Sequence, residues 1–126
     1  VVPSLIRKCY TQKKLEVWGD GSQIRDFFYV EDFARAVVLA AEKLKTHEPV
    51  NIGSGEPVSI KKLVKTIVKL TGFKGEIYFD ATKPQGQKIR VVSIKKAKKV
   101  LGFSPKFSLE KGLKKTIDWY NTVSIS

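Results

Sequence analysis

From Ser59 to Gly72 the chain spells a complete helix. Ser59 stands where an N-cap accepts a first-turn N–H, and Ile60, Leu63, Val64, Ile67, Val68 and Thr71 then fall on one stripe. Gly72 supplies the stop, since only glycine enters the left-handed conformation without strain. A helix with one apolar stripe needs an apolar layer to lie on, so the rest of the chain must supply it.

Short apolar runs and further helical stripes do so in alternation. Val2, Leu5, Ile6, Cys9 and Tyr10 predict a first helix, with Pro3 tolerated in its opening turn. Leu15-Glu16-Val17-Trp18 predicts a strand that runs into the turn Gly19-Asp20-Gly21-Ser22. Phe27-Phe28-Tyr29-Val30 is a second apolar run. Glu31-Asp32 then open a long helix with Phe33, Ala36, Val37, Ala40, Ala41 and Leu44 on its packing face. Pro49–Ile52 and Ile77-Tyr78-Phe79 predict further strands, a polar loop covers 80–88, and Arg90-Val91-Val92 can extend. Ser93 and Ser108 stand as caps of two last helices, the first stopped by Gly102. The fold class is therefore α/β, a small mixed lobe of helices and short strands forming a single domain over residues 1–126. Its strands are too few and short for a self-standing doubly wound sheet. The first helix has no cap before it and the chain has no methionine, so it reads as a fragment of something longer.

One cysteine (Cys9) and one histidine (His47) leave no disulfide, no Cys/His zinc site, no metal centre and no Ser-His-Asp or Cys-His nucleophile of the usual kind. Cys9 is expected as a small buried hydrophobe and His47 as a solvated loop residue. No apolar run approaches the ~18 residues of a membrane span, and the start lacks the features of a signal peptide. A cytoplasmic protein without a membrane partner is expected. The formal charge of +12 raises nucleic acid as a partner, and a basic, non-enzymatic nucleic-acid-binding module is the rival reading. Against it, most lysines (Lys61, Lys62, Lys65, Lys69, Lys95, Lys96, Lys98, Lys99, Lys111, Lys114 and Lys115) fall on outer helix faces, the distribution of a solubilising surface.

Three motifs carry possible chemistry. Tyr10-Thr11-Gln12-Lys13-Lys14 has the Tyr-x-x-x-Lys spacing in which a lysine lowers a phenol's pKa, but no dinucleotide-binding unit precedes it and Tyr10 falls on the apolar face, so it is read as a coincidence. Gly53-Ser54-Gly55 between a strand and a helix has the form of a phosphate-cradling turn; Val58 replaces the third glycine of the dinucleotide fingerprint, which favours a structural left-handed turn. Arg25 follows the Gly19-x-Gly21 turn and stands apart from the lysine faces. Its planar fork can grip a phosphate with two hydrogen bonds, or it can pair with Asp26 or Asp32.

The stretch Val17-Trp18-Gly19-Asp20-Gly21-Ser22-Gln23-Ile24-Arg25-Asp26-Phe27-Phe28-Tyr29-Val30-Glu31-Asp32 resembles the diagnostic segment of the extended short-chain dehydrogenase/reductase family, the NAD-dependent epimerases and dehydratases of nucleotide sugars. Val2–Lys8, Val50–Gly55 with Val58-Ser59-Ile60, Leu101–Pro105 and Leu109–Leu113 continue the likeness to the family's carboxy-terminal portion. Lys83-Pro84-Gln85-Gly86 is similar to the GDP-fucose synthase branch, with a UDP-glucose 4-epimerase-like member as the next choice. Gln85-Gly86-Gln87 departs from the common Arg-x-Gly-Asp, and Ser93 stands where an aspartate is common. The resemblance implies a nucleotide-diphosphate sugar as ligand and NAD or NADP in the intact enzyme. It implies a Rossmann half as the partner that carries cofactor and catalytic tyrosine, and a homodimer when intact. It implies no catalytic or cofactor-binding residue in this chain. Arg25 would contact the diphosphate, Val2, Pro3 and Trp18 would lie near the nucleotide, and Lys83, Lys88 and Arg90 are candidates for phosphate or ribose contacts. Asp32 would be a helix-opening carboxylate with no catalytic role.

Overall fold

A computed structural model describes residues 1–123. Its elements are α1 (Val2–Thr11), β1 (Lys14–Trp18), β2 (Ile24–Asp26), α2 (Val30–Lys43), β3 (Pro57–Ser59), α3 (Ile60–Thr71), β4 (Glu76–Asp80), β5 (Ile89–Arg90), α4 (Lys95–Leu101) and α5 (Leu109–Val123). This is the small mixed helix-and-strand unit that the spacing predicts.

The main core lies between α1, α3 and α5 and one face of a two-stranded sheet. Strands β1 and β4 run parallel, from Lys14 opposite Glu76 to Trp18 opposite Asp80. Leu15 and Val17, alternate residues of β1, are buried, and they meet Leu5 and Ile6 of α1, Leu63, Val64 and Ile67 of α3, and Leu113 and Ile117 of α5. The Ser59 hydroxyl accepts the Lys62 N–H at 3.1 Å, and Gly72 closes α3 at φ 70°, as the sequence spells out. A smaller core gathers Ala36, Ile94, Ala97, Leu101 and Phe103.

A second sheet has the order β3-β2-β5, and Val58 of β3 reaches the main core. Strand β2 is antiparallel to β3 and parallel to β5. Here the structure corrects the sequence reading, because pairing takes Ile24–Asp26 rather than the apolar run at 27–30. The ladder ends where Asp26 faces Pro57, which has no N–H to donate beyond it. The aromatic run packs instead: Phe28 meets Phe103 edge-on at 5.9 Å, Tyr29 leans on Phe107 at 4.7 Å, and Val30 begins α2.

Three other expectations fail for identifiable reasons. Pro49–Ile52 forms no strand, since no described segment pairs with it. Ser93 does not cap α4; Ile94 holds the N-cap position and no side chain bonds there. On the predicted packing face of α2 only Ala36 is buried, while Phe33 is 50% exposed and Val37 47%. Cys9 is half-buried against the main core, where desolvation pushes its thiol pKa up. His47 lies exposed in a loop, as expected.

Candidate functional site

The site grows from the end of β1. Trp18 is the last residue of that strand, 57% exposed, and the chain turns away at once through Gly19 and Gly21, both at positive φ. Gly19 is required twice over, because its backbone is left-handed and an added Cβ would strike the Gln23 side chain. The turn is braced by Asp20, whose carboxylate accepts the Ser22 N–H at 2.8 Å and hydroxyl at 2.6 Å. These bonds hold the Asp20 pKa below its ordinary value. Gly21 and Gln23 then give their carbonyls to the N–H groups of Lys61 and Ile60, both at 2.9 Å, which ties the turn to the start of α3.

Strand β2 delivers two charges in opposite directions. Asp26 takes the Gly53-Ser54-Gly55 turn: its carboxylate accepts the Ser54 N–H at 2.9 Å, the Ser54 hydroxyl, and the Gly55 N–H at 3.4 Å. The phosphate-like cradle seen in the sequence is therefore filled by the chain's own carboxylate, and Gly55 sits in the expected left-handed conformation at φ 71°. Asp32 is fully buried and accepts the N–H groups of Lys106 (2.9 Å) and Phe107 (2.9 Å) as well as the Arg35 guanidinium at 2.5 Å. Its role is more than opening a helix, since it anchors the 104–107 segment to α2.

With both carboxylates committed elsewhere, Arg25 has no acidic partner among the described residues. Its one hydrogen bond is to the neighbouring Ile24 carbonyl at 2.8 Å. It stands directly opposite Arg90 in the parallel β2–β5 register, which puts two arginines side by side on adjacent strands. Arg25 borders two adjoining hollows. One, of about 410 Å³, is walled by Leu5, Val17, Trp18, Gln23, Pro84 and Gln85. The other, of about 570 Å³, is bordered by Val2, Pro3, Phe28, Gly53, Arg90 and Val92. Lys83 lies over the Trp18 ring at 5.9 Å.

Of the seven residues proposed from sequence, Arg25, Arg90, Trp18, Val2 and Pro3 border the two hollows, and Lys83 lies beside them over the Trp18 ring. Lys88 stands apart: its carbonyl accepts the Ile24 N–H at 2.8 Å, and its charge acts on Asp20. Sequence reasoning missed Gln23, Asp26 and Gln85. Gln23 is 3% exposed and donates through Nε2 to Gln85 Oε1 at 3.0 Å. No local pattern announces a contact between residues 62 positions apart. The Tyr10/Lys14 coincidence is also explained: Tyr10, 44% exposed rather than buried, stacks on Tyr120 at 5.6 Å, and Lys14 pairs with Glu76 at 2.7 Å.

This geometry has counterparts among known proteins. The family model described as "NAD dependent epimerase/dehydratase family" matches residues 1–53. The chain is 38% identical over 125 residues to GDP-L-fucose synthase 1 of Arabidopsis thaliana, a match covering 95% of this chain and 38% of the relative. Its structure superposes on a UDP-glucose 4-epimerase of Thermotoga maritima, solved with UDP-glucose, with TM-score 0.88 and 32% identity over 98% of this chain and 40% of that one. A GDP-L-fucose synthetase of Naegleria fowleri gives TM-score 0.91 and 26% identity over 100% and 40% of the two chains. The chain accordingly spans about two-fifths of the length of the relatives it matches. The segment matched by the family model includes Arg25, Trp18 and the glycine turn between them, and along nearly its whole length the chain is similar to part of the proteins of the NAD-dependent epimerase/dehydratase family.

Proposed function

We propose that residues 1–126 act as the substrate-binding domain of a sugar-nucleotide epimerase, dehydratase or reductase, holding a nucleotide-diphosphate sugar. The observation that carries this reading is the pair Arg25 and Arg90, register partners that both border the larger hollow and take part in no ion pair among the described residues. Like charges at this spacing repel, and a diphosphate laid between them reverses the sign of the interaction while offering each fork a bidentate acceptor. Trp18 and the apolar walls beside it give a base a surface to lie on, and Lys83 adds a third cation at that wall. Lys88, directed toward Asp20, is a ribose or phosphate contact only if the ligand reaches that turn.

In the intact enzyme, remote binding energy at the diphosphate would orient the sugar against a reacting centre supplied by another part of the protein, the amino-terminal Rossmann half. NAD or NADP belongs to that half. The glycine turn that could have cradled a phosphate here is occupied by Asp26, so no residue of this chain is assigned to the cofactor. A cytoplasmic homodimer is the proposed setting; no helix among the described residues is long and apolar enough to cross a membrane. Among the members, a GDP-fucose synthase is the first choice and a UDP-glucose 4-epimerase the second. The rival reading, a basic nucleic-acid module, gains nothing from the surface: Lys14, Lys69, Lys96, Lys114 and Lys115 are engaged in ion pairs.

Titration of the protein with GDP-, UDP- and dTDP-sugars, followed by NMR, tests the proposal. Shifts at Arg25, Trp18 and Arg90 that prefer one nucleotide are expected. Binding to nucleic acid that falls steeply with salt and is indifferent to Arg25→Ala would reverse the assignment.

A further inference from the structure

Gln23 is the one described side chain with a buried polar atom left unmatched: its Oε1 has no hydrogen-bond partner, although the residue is only 3% exposed. Turning the amide about its last bond would exchange oxygen for nitrogen and leave an unpaired donor instead. One polar atom of this side chain is unmatched either way. A buried polar atom without a partner is destabilising, so a position that keeps one is a candidate for a ligand contact.

Its surroundings say which part of a ligand. Gln23 forms the wall of the hollow between Trp18 and Arg25, and its amide lies against Gly19, where any side chain at residue 19 would collide with it. Arg25 borders this hollow, and so do the apolar Val17, Trp18 and Pro84 and the polar Ser4, Lys8 and Glu16. A buried amide in a mixed polar and apolar hollow that an indole borders matches a nucleobase, which has π-faces for the ring and N–H and C=O groups on its rim. The amide is covered by the exposed side chain of Gln85, which precedes Gly86 at φ 66°.

We infer that Gln23 is a base-reading, specificity-determining residue of the nucleotide site, and that Gln85 is its cover, displaced when a base enters the hollow. The inference rests on the nucleotide-sugar reading given above and adds the atom that contacts the base.

Calorimetric titration of the protein with GDP, UDP and inorganic pyrophosphate separates the two readings, because pyrophosphate engages the arginines and lacks a base. Gln23→Met is expected to weaken the better of the two nucleoside diphosphates about tenfold, the equivalent of one buried hydrogen bond. It should leave pyrophosphate binding unchanged and should not lower the thermal midpoint of the free protein. Gln85→Ala should keep or improve nucleotide affinity, since it removes only the cover. Equal losses for nucleotide and pyrophosphate in Gln23→Met, no loss in either, or a nucleotide loss in Gln85→Ala as large as that in Gln23→Met would overturn the assignment and make the pair a structural tie. If wild-type protein binds neither pyrophosphate nor nucleotide, the nucleotide-sugar reading itself fails and this inference falls with it.

Discussion

Arg25 faces Arg90 across the parallel β2–β5 ladder, one residue from a carboxylate, Asp26, that pairs with neither. A strand pair that juxtaposes like charges loses stability in the empty protein and recovers it when an anion binds. Arg90→Gln should therefore raise the stability of the free protein by about 0.2–1 kcal/mol, most visibly at low salt, while weakening pyrophosphate binding. Arg25→Lys keeps the charge without the fork and should bind less tightly than wild type but better than Arg25→Ala. Melting curves paired with calorimetry measure both effects; a destabilised Arg90→Gln would mean that the two side chains do not repel.

Asp26 occupies the Gly53–Gly55 turn. Removing it in Asp26→Ala strands the Ser54 N–H and hydroxyl, and a hydrogen bond to a charged group contributes about 1.5–3 kcal/mol, so urea unfolding should show a loss of that order. Asp26→Asn, which keeps one acceptor oxygen, should lose less. Gly53→Ala should destabilise comparably, because its methyl group would meet Asp26 and Val92.

Asp32 predicts a larger effect for a different reason. Its carboxylate is fully buried, and Asp32→Ala leaves the Lys106 and Phe107 N–H groups without a partner, at about 1–3 kcal/mol for each. Hydrogen exchange should then show the 104–107 segment opening while α3 stays protected. Unchanged exchange at Lys106 and Phe107 would remove the anchoring role.

Acid should act on the two turns that flank the hollow. The Thr82 hydroxyl holds the Asp80 carboxyl below its ordinary pKa, as Ser22 does for Asp20. A carboxylate depressed in the folded state adds stability that is fully present above its unfolded pKa, about 4, and is lost as pH falls through the lower folded value. Melting temperatures should thus show no pH dependence from these groups between pH 5 and 7 and a decline below about pH 4. The decline should be shallower in Asp80→Asn.

Trp18 and Trp119 are both exposed, but only Trp18 borders the hollow. Nucleotide-induced fluorescence change should therefore vanish in Trp18→Phe and persist in Trp119→Phe.

The sequence discloses what is local and conceals what is not. The α3 helix is legible from Ser59 to Gly72 because its cap, stripe and stop are all neighbours in the chain. The glycine turn before Arg25 is legible for the same reason. Strand β2 is misread because hydrophobicity marks Phe27–Tyr29, whereas pairing is decided by Pro57 and Arg90, far along the chain. The α2 face looks fit for burial, yet only Ala36 is covered by the described residues. Within the site, the arginines and tryptophan stand out by residue type. Gln23 and Asp26 do not, since their meaning lies in partners 62 and 28 residues away.

Because successive side chains of a strand point to opposite faces, β2 is a polarity switch three residues long. Sliding it by a single residue against β3 and β5 would exchange the faces that Arg25 and Asp26 take and pull the Asp26 carboxylate off the Ser54 and Gly55 N–H groups. The carbonyls of Gly21 and Gln23, clamped on the first N–H groups of α3, prevent that slip. Two backbone hydrogen bonds, carrying no charge of their own, thereby decide which of two neighbouring charges the glycine turn receives.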